Sequence, residues 1–184
     1  LLVDEVTSEE ILIRPGTLYE EENIEFKLNT RVEAIDRNNK EIRLNNGELL
    51  HYDKLALTVG SRTRKVNLPG TELEGIHYLR DIKDVEQIKA RIEAGKKAVI
   101  VGGGYIGLET AASLRKFGME VTVVEMMDRV LQRVTSAEIS EFFTRVHTEE
   151  GVNIVCGLGV EAFEGESQVE RVICSDGNHY DADL

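Results

Sequence analysis

The sequence predicts an α/β protein in which a parallel sheet, built from strands alternating with helices, is joined to antiparallel β-meanders. Three observations carry that expectation. Between Lys97 and Cys156 the hydrophobic period switches repeatedly between two and about 3.6, as strands and amphipathic helices require. A glycine cluster, Val101-Gly102-Gly103-Gly104-Tyr105-Ile106-Gly107, falls where the first of those strands gives way to a helix. And Val32-Glu33-Ala34-Ile35-Asp36 is echoed by Val160-Glu161-Ala162-Phe163-Glu164, with His51-Tyr52-Asp53 and His179-Tyr180-Asp181 each 19 residues after the opening valine, as in an internal repeat.

The elements follow in chain order. Residues 4–22 are acidic and broken by Pro15-Gly16, which predicts one short helix around Glu9 and a second over Thr17–Glu22. From Asn23 the period becomes two: Ile24, Phe26 and Leu28 alternate, then Val32–Asp36 and Glu41–Leu44 flank an Arg37–Lys40 turn, with Asn45-Asn46-Gly47 as a further turn. The meander leads into Lys54–Gly60, a nearly continuous apolar run that suits a strand buried on both faces. Asp81 can cap a helix whose apolar face is Val85, Ile88 and Ile92 and whose stop is Gly95. Lys97–Val101 reads as a buried strand, Gly104–Phe117 as a helix stopped by Gly118, and Glu120–Glu125 as the next strand. Thr135 with Glu138 resembles a capping box opening a helix with Ile139, Phe142, Phe143 and Val146 on one face; Val152–Cys156 is a third strand. Val160–Phe163 and Val169–Cys174, with a Ser175-Asp176-Gly177 turn, close the chain as a second meander. If the repeat is a duplication, the first-copy counterpart of the glycine cluster would lie about 26 residues before Leu1, so the expectation is a fragment cut at both ends.

Composition narrows the function classes. In 184 residues, 22 Lys and Arg stand against 34 Asp and Glu for a net charge of −12, which argues against nucleic acid or an anionic membrane surface as the main partner. The charge is −6 over residues 1–50, +3 over 51–100, −3 over 101–150 and −6 over 151–184, so the central hundred residues are neutral. No run approaches the roughly 18 apolar residues of a membrane span, and no targeting segment is visible at Leu1-Leu2-Val3. Cys156 and Cys174 fall on the apolar faces of predicted strands and read as buried thiols, which suits a reducing cytoplasm.

The chemistry is concentrated at the glycine cluster. A G-x-G-x-x-G pattern directly after a strand and opening a helix is a dinucleotide-binding arrangement. Gly102 permits the tight turn, Gly104 lets the backbone approach a pyrophosphate and Gly107 lets helix and strand pack closely. Glu125, 18 residues after Gly107, ends the next strand, where a carboxylate accepts hydrogen bonds from adenosine ribose hydroxyls and repels an added 2′-phosphate. NADH is thereby expected over NADPH, although Arg129 and Arg133 follow closely and could receive a phosphate. Glu109 has two readings: a first-turn acid stabilised by the helix dipole, or a group facing the ligand.

With these motifs in hand, the chain resembles the FAD-dependent pyridine nucleotide oxidoreductases, nearest to the ferredoxin and rubredoxin (putidaredoxin) reductase branch of that superfamily. The resembling segments are VTSEEILIRP at 6–15, LHYDKLALTVGSRTR at 50–64, HYLRDIKDV at 77–85, VGGGYIGLE at 101–109 and RVLQRVTSAEISEFFTRVHTEEGV at 129–152. The resemblance implies a Rossmann-type three-layer FAD/NAD(P)-binding fold, incomplete at both ends, with a partial FAD-binding domain over residues 1–66 and an NAD-binding domain over 67–184. It implies that Val32 approaches the FAD adenine and that Thr58, Val59 and Gly60 take the place of an Ala-Thr-Gly flavin-contact strand end, from which the threonine and valine depart. Arg80 would contact FAD; Gly102, Gly103, Gly104, Tyr105, Ile106, Gly107, Glu125 and Arg133 would fall where NADH binds, and Glu109 beside nicotinamide and flavin as the candidate catalytic residue. No metal ligands are implied.

The activity so implied is hydride transfer from NADH to flavin, then single electrons to a small iron-sulfur ferredoxin or a rubredoxin, with Arg62, Arg64 and Lys65 either docking an acidic carrier or lying in a solvated loop. Two alternatives stay open: an NADH oxidase, peroxidase or disulfide reductase of the same architecture, whose redox cysteine would lie upstream of Leu1, and a non-enzymatic NADH-sensing module.

Overall fold

The computed structural model describes residues 2–3, 5–7, 9–14 and 16–184. It divides into two compact units: Glu9–Ser61, and Arg62–Leu184 together with the residues before Glu9.

In the Glu9–Ser61 unit, α1 spans Gly16–Glu21, and β1 (Val32–Asp36), β2 (Glu41–Leu44) and β3 (Leu49–His51) form an antiparallel sheet in that order. Asp36 holds the β1–β2 turn, its Oδ1 accepting the N–H groups of Asn38 and Asn39 at 2.9 and 3.0 Å. The helix expected around Glu9 is instead a turn, closed by the Leu12 N–H on the Glu9 carbonyl at 3.2 Å. The alternating Ile24, Phe26 and Leu28 make no strand: Asn23 and Asn29, both in the left-handed region at φ 56° and 54°, break the extended run, and Phe26 packs edge-on against Tyr19. Lys54–Gly60 is likewise no buried strand. It is irregular and exposed, with Val59 at 87%, because no strand among the described residues pairs with it and an unpaired apolar run cannot satisfy its backbone. Of this unit's described apolar side chains only Leu44 is fully buried.

The larger unit is three-layered. Its middle layer is a parallel sheet ordered β4 (Lys97–Val101), β5 (Glu120–Glu125), β6 (Val152–Cys156). On one face α2 (Ile82–Lys89) and α3 (Tyr105–Lys116) enclose a core of Ile88, Ala98, Ala111, Leu114, Met119, Val121, Val123 and Val152. On the other, Val99 packs against Phe163, Val169, Val172 and Ala182 of the second meander, β7 (Val160–Glu164), β8 (Arg171–Cys174) and β9 (His179–Asp181). Ala98 and Val99 therefore serve opposite faces, as the period of two demands. The α/β class, the parallel sheet and both meanders stand as the sequence predicted.

Helix ends show where local rules were overridden. Asp81 caps α2, as expected, and does so in a capping box with Asp84, but the helix stops at Lys89 rather than near Gly95, and Ile92 packs on the core from beyond the helix end. The box expected of Thr135 and Glu138 does not form. Ser136 is the N-cap of α4 (Ala137–Glu149), while the Thr135 hydroxyl donates to the Leu131 carbonyl at 3.2 Å. The apolar face of α4 is only partly covered, with Ile139 and Phe142 44% and 50% exposed.

The repeat is real at the level of register. Both first strands slip at the same place: Val32 pairs with Leu44 and Ala34 with Arg43, as Val160 pairs with Cys174 and Ala162 with Ile173. The His-Tyr-Asp match is not part of it. His179 pairs with Ile173 as Leu49, not His51, pairs with Arg43, because the loop between the first two strands is longer in the second copy.

Candidate functional site

The glycine loop lies at the carboxyl edge of the parallel sheet, between β4 and α3. Gly102 has φ +113°, a conformation side chains rarely adopt, and its N–H donates to the Val124 carbonyl at 2.8 Å. Gly107 sits where a Cβ would meet the Gly102 carbonyl oxygen at 2.1 Å, so its missing side chain is what lets α3 close on β4. Around Gly104, by contrast, a Cβ would meet nothing within 4 Å. Gly104 is the N-cap of α3 and offers no side chain to its first turn, so the N–H groups of Tyr105, Ile106 and Gly107 face an open shelf. Gly103, which had no separate role in the sequence pattern, is buried over Val130.

Glu125, at the end of β5, is 8% exposed. Its Oε2 accepts the Gly103 N–H at 2.7 Å and its Oε1 the Met127 N–H at 2.8 Å. Two backbone donors thus hold the carboxylate against the glycine loop, and each oxygen retains a lone pair for a further donor. The same charge, after burial, pushes the half-buried Cys156 thiol up; burial also raises Cys174.

The segment after β5 was not legible from periodicity. Val130 and Leu131 are buried with Leu108, and the Leu131 N–H donates to the Gly103 carbonyl at 2.9 Å. Arg129 turns inward, donating to the carbonyls of Thr135, Ser136 and Gln132, so it does not lie free to receive a phosphate. Arg133 is exposed.

The remaining residues are distributed as follows. Tyr105 and Ile106 are 47% and 63% exposed at the start of α3, and Glu109 is exposed one turn on, on the face of Tyr105. Glu109 is therefore in the second turn, not the first, and the dipole reading loses most of its force. Val32, Thr58, Val59 and Gly60 are all exposed in the Glu9–Ser61 unit, Gly60 with φ +65°. Arg80 is exposed just before α2, its N–H donating to Asp84 at 2.7 Å. Among the described residues no group of three or more His, Cys, Asp or Glu could hold a metal, and no helix is long and apolar enough to cross a membrane. A cleft of about 300 Å³ lined by Lys97, Glu120 and Asp181 lies at the opposite, amino edge of the sheet and takes no part in this arrangement.

The family model described as "Pyridine nucleotide-disulphide oxidoreductase" matches residues 4–184. The chain is 40% identical over 164 residues to a probable ferredoxin reductase, CtmF, of Castellaniella defragrans, covering 89% of this chain and 40% of that protein. It is 36% identical over 189 residues to putidaredoxin reductase CamA of Pseudomonas putida, covering 100% of this chain and 45% of that protein. Among solved structures it superposes on the reductase of a covalent putidaredoxin reductase–putidaredoxin complex with a TM-score of 0.92 at 36% identity, covering 100% of this chain and 45% of that one. The ferredoxin reductase for the CYP199A2 system of Rhodopseudomonas palustris gives a TM-score of 0.92 at 33% identity, with the same coverage. The chain spans less than half the length of these relatives.

Proposed function

The chain belongs to the pyridine nucleotide-disulphide oxidoreductase family, and from that premise we propose that it supplies the NAD-binding part and a portion of the FAD-binding part of an NADH-dependent reductase serving a ferredoxin or rubredoxin. The domain reading is residues 1–66 for the FAD portion and 67–184 for the NAD portion. Similarity to a probable ferredoxin reductase and to putidaredoxin reductases, one of them solved in a covalent complex with putidaredoxin, supports the acceptor class. Two free thiols support a reducing, cytoplasmic setting.

One observation carries the reading: an open, side-chain-free shelf at Gly104, on a helix N-terminus, beside a buried carboxylate tied to the same loop. A dinucleotide fits this donor set. The N–H groups of the first turn of α3 would hold the pyrophosphate, and the free lone pairs of Glu125 would accept both ribose hydroxyls, with Arg133 alongside. A fixed, buried carboxylate also repels a 2′-phosphate, which selects NADH. When bound, nicotinamide and flavin supply the hydride and single-electron chemistry. The chain's own task is alignment: Tyr105, Ile106 and Glu109 flank the shelf, and Glu109 orients the nicotinamide without acting as acid or base. In the Glu9–Ser61 unit Val32 and Thr58–Gly60 serve the flavin.

Calorimetry on the chain tests this. NADH should bind at least about tenfold more tightly than NADPH, the scale of one close charge repulsion, and Glu125→Ala should erase the difference; equal affinities in the parent would overturn the role of Glu125.

A further inference from the structure

We propose that Arg129 is a positioning residue for nucleotide selection: it never touches the ligand, and sets the Glu125 carboxylate by locking the loop between β5 and α4. The proposal rests on the NAD-binding reading above. The Arg129 guanidinium gathers three carbonyl oxygens, those of Thr135, Ser136 and Gln132 at 3.1, 3.2 and 3.3 Å, together with the Ser140 hydroxyl. Nη1 faces the Thr135 and Ser136 carbonyls and the Ser140 hydroxyl, and Nη2 the Gln132 carbonyl, so both terminal nitrogens of the guanidinium fork are engaged. Ser140 is 1% exposed, the one buried side chain of α4, and passes the link on by donating to the Val130 carbonyl at 2.6 Å.

From there the loop grips the cradle directly. Val130 is fully buried beneath Gly103, close enough that a Cβ on Gly103 would meet its Cγ1 at 2.9 Å. The Leu131 N–H holds the Gly103 carbonyl at 2.9 Å, and Gly103 in turn donates to Glu125. Leu131 adopts φ 55°, a conformation that a leucine keeps only where its surroundings over-determine it. The network Arg129–Ser140–Val130–Gly103–Glu125 thus ends on the group that tells a ribose hydroxyl from a phosphate.

The test is the ratio of the NADPH and NADH dissociation constants, measured by calorimetry on the chain for the parent, Arg129→Met and Ser140→Ala. A uniform loss of stability scales both constants alike and leaves the ratio unmoved. Loss of positioning weakens NADH selectively, and the ratio should fall about threefold or more in Arg129→Met and in the same direction in Ser140→Ala. An unchanged ratio overturns the proposal. So does a ratio that rises, because removing a cation that touches the 2′-phosphate would weaken NADPH alone. Should Arg129→Met not fold, Ser140→Ala carries the test, since it keeps every charge and removes one hydroxyl. Hydrogen exchange of the Leu131 amide, read without nucleotide, should accelerate at least about tenfold in either variant, and unchanged protection overturns the network. A parent chain that binds neither dinucleotide overturns the NAD-binding reading, and the role in selection with it, whatever the exchange result.

Discussion

Two glycines five and two residues into one motif should respond to alanine in opposite ways. At Gly107 a new Cβ would stand 2.1 Å from the Gly102 carbonyl oxygen and 3.3 Å from Ile100 Cγ2, against a floor of 3.0 Å for real contacts. The obstacle is backbone, so no rotamer relieves it, and α3 must move from β4 by about 1 Å across the Ala98, Ala111 and Leu114 core. Overpacking of that kind costs about 3 kcal/mol, at the upper end of its usual range. For a unit of this size that is a fall of about 10 °C in Tm. Gly104 has open space and φ −81°, which alanine adopts freely. Gly104→Ala should therefore hold its Tm to within about 3 °C, the slight loss at an N-cap being offset by the lower entropy of the unfolded chain. Its methyl would occupy the shelf, and NADH affinity should drop at least about tenfold. Differential scanning calorimetry and NADH titration of the two variants separate the effects. A stable Gly107→Ala would refute the close-packing argument, and a Gly104→Ala chain that binds NADH normally would refute the shelf.

Two further outcomes are expected. The purified chain should be colourless, since Thr58–Gly60 is exposed and unpaired rather than set in a sheet; stoichiometric flavin absorbance in the visible would contradict this. Acid should loosen the link between β4 and β9, where Lys97 Nζ meets Asp181 Oδ2 at 2.7 Å. The lysine lowers the Asp181 pKa below its ordinary 3.8, so its contribution is present at neutral pH and lost as pH falls through the depressed value. Asp181→Asn should flatten the acid limb of a stability–pH curve below about pH 4, and a curve unchanged by that substitution would show the pair to be inert.

The legible parts of the fold were those in which one segment's pattern and its neighbours' agreed. β4, α3, β5, α4 and β6 were read within a residue or two because strand and helix periods alternate there and each strand has a partner in the same stretch. Lys54–Gly60 carries as good an apolar run as Lys97–Val101, yet it forms no strand. A run of side chains describes a face, while a strand also needs partners for its N–H and C=O groups, and partners are not written in the segment itself. The second-copy loop was missed for a related reason. A three-letter identity at equal spacing outweighed the hydrophobic register, whereas pairing follows which residues face the core. In the glycine loop, Gly102 and Gly107 were legible because a φ of +113° at the first and the Gly102 carbonyl against the second leave no place for a side chain, whereas Gly104, with open space and φ −81°, and Glu125 were singled out only by their places in the motif. Arg129, which the linear pattern left open to a phosphate, folds inward onto carbonyls, and nothing in that pattern distinguishes such an arginine from one that faces solvent.

How can a chain of net charge −12 hold a pyrophosphate? Screening weakens the more distant part of that charge, because carboxylates beyond about 8 Å are damped at physiological ionic strength. Of the carboxylates that remain local, Glu109 is exposed to solvent, and Glu125 is buried and holds two backbone donors, the N–H groups of Gly103 and Met127. In the proposed complex that arrangement would partly neutralise the carboxylate toward the pyrophosphate and leave its remaining lone pairs for the ribose. An alanine at 125 would release the Gly103 N–H to the anion and remove the repulsion to a 2′-phosphate together. Glu125→Ala should thus do more than lose NADH affinity: it should raise NADPH affinity in absolute terms, and an NADPH constant left at its parental value would show that the carboxylate does not face the 2′ position.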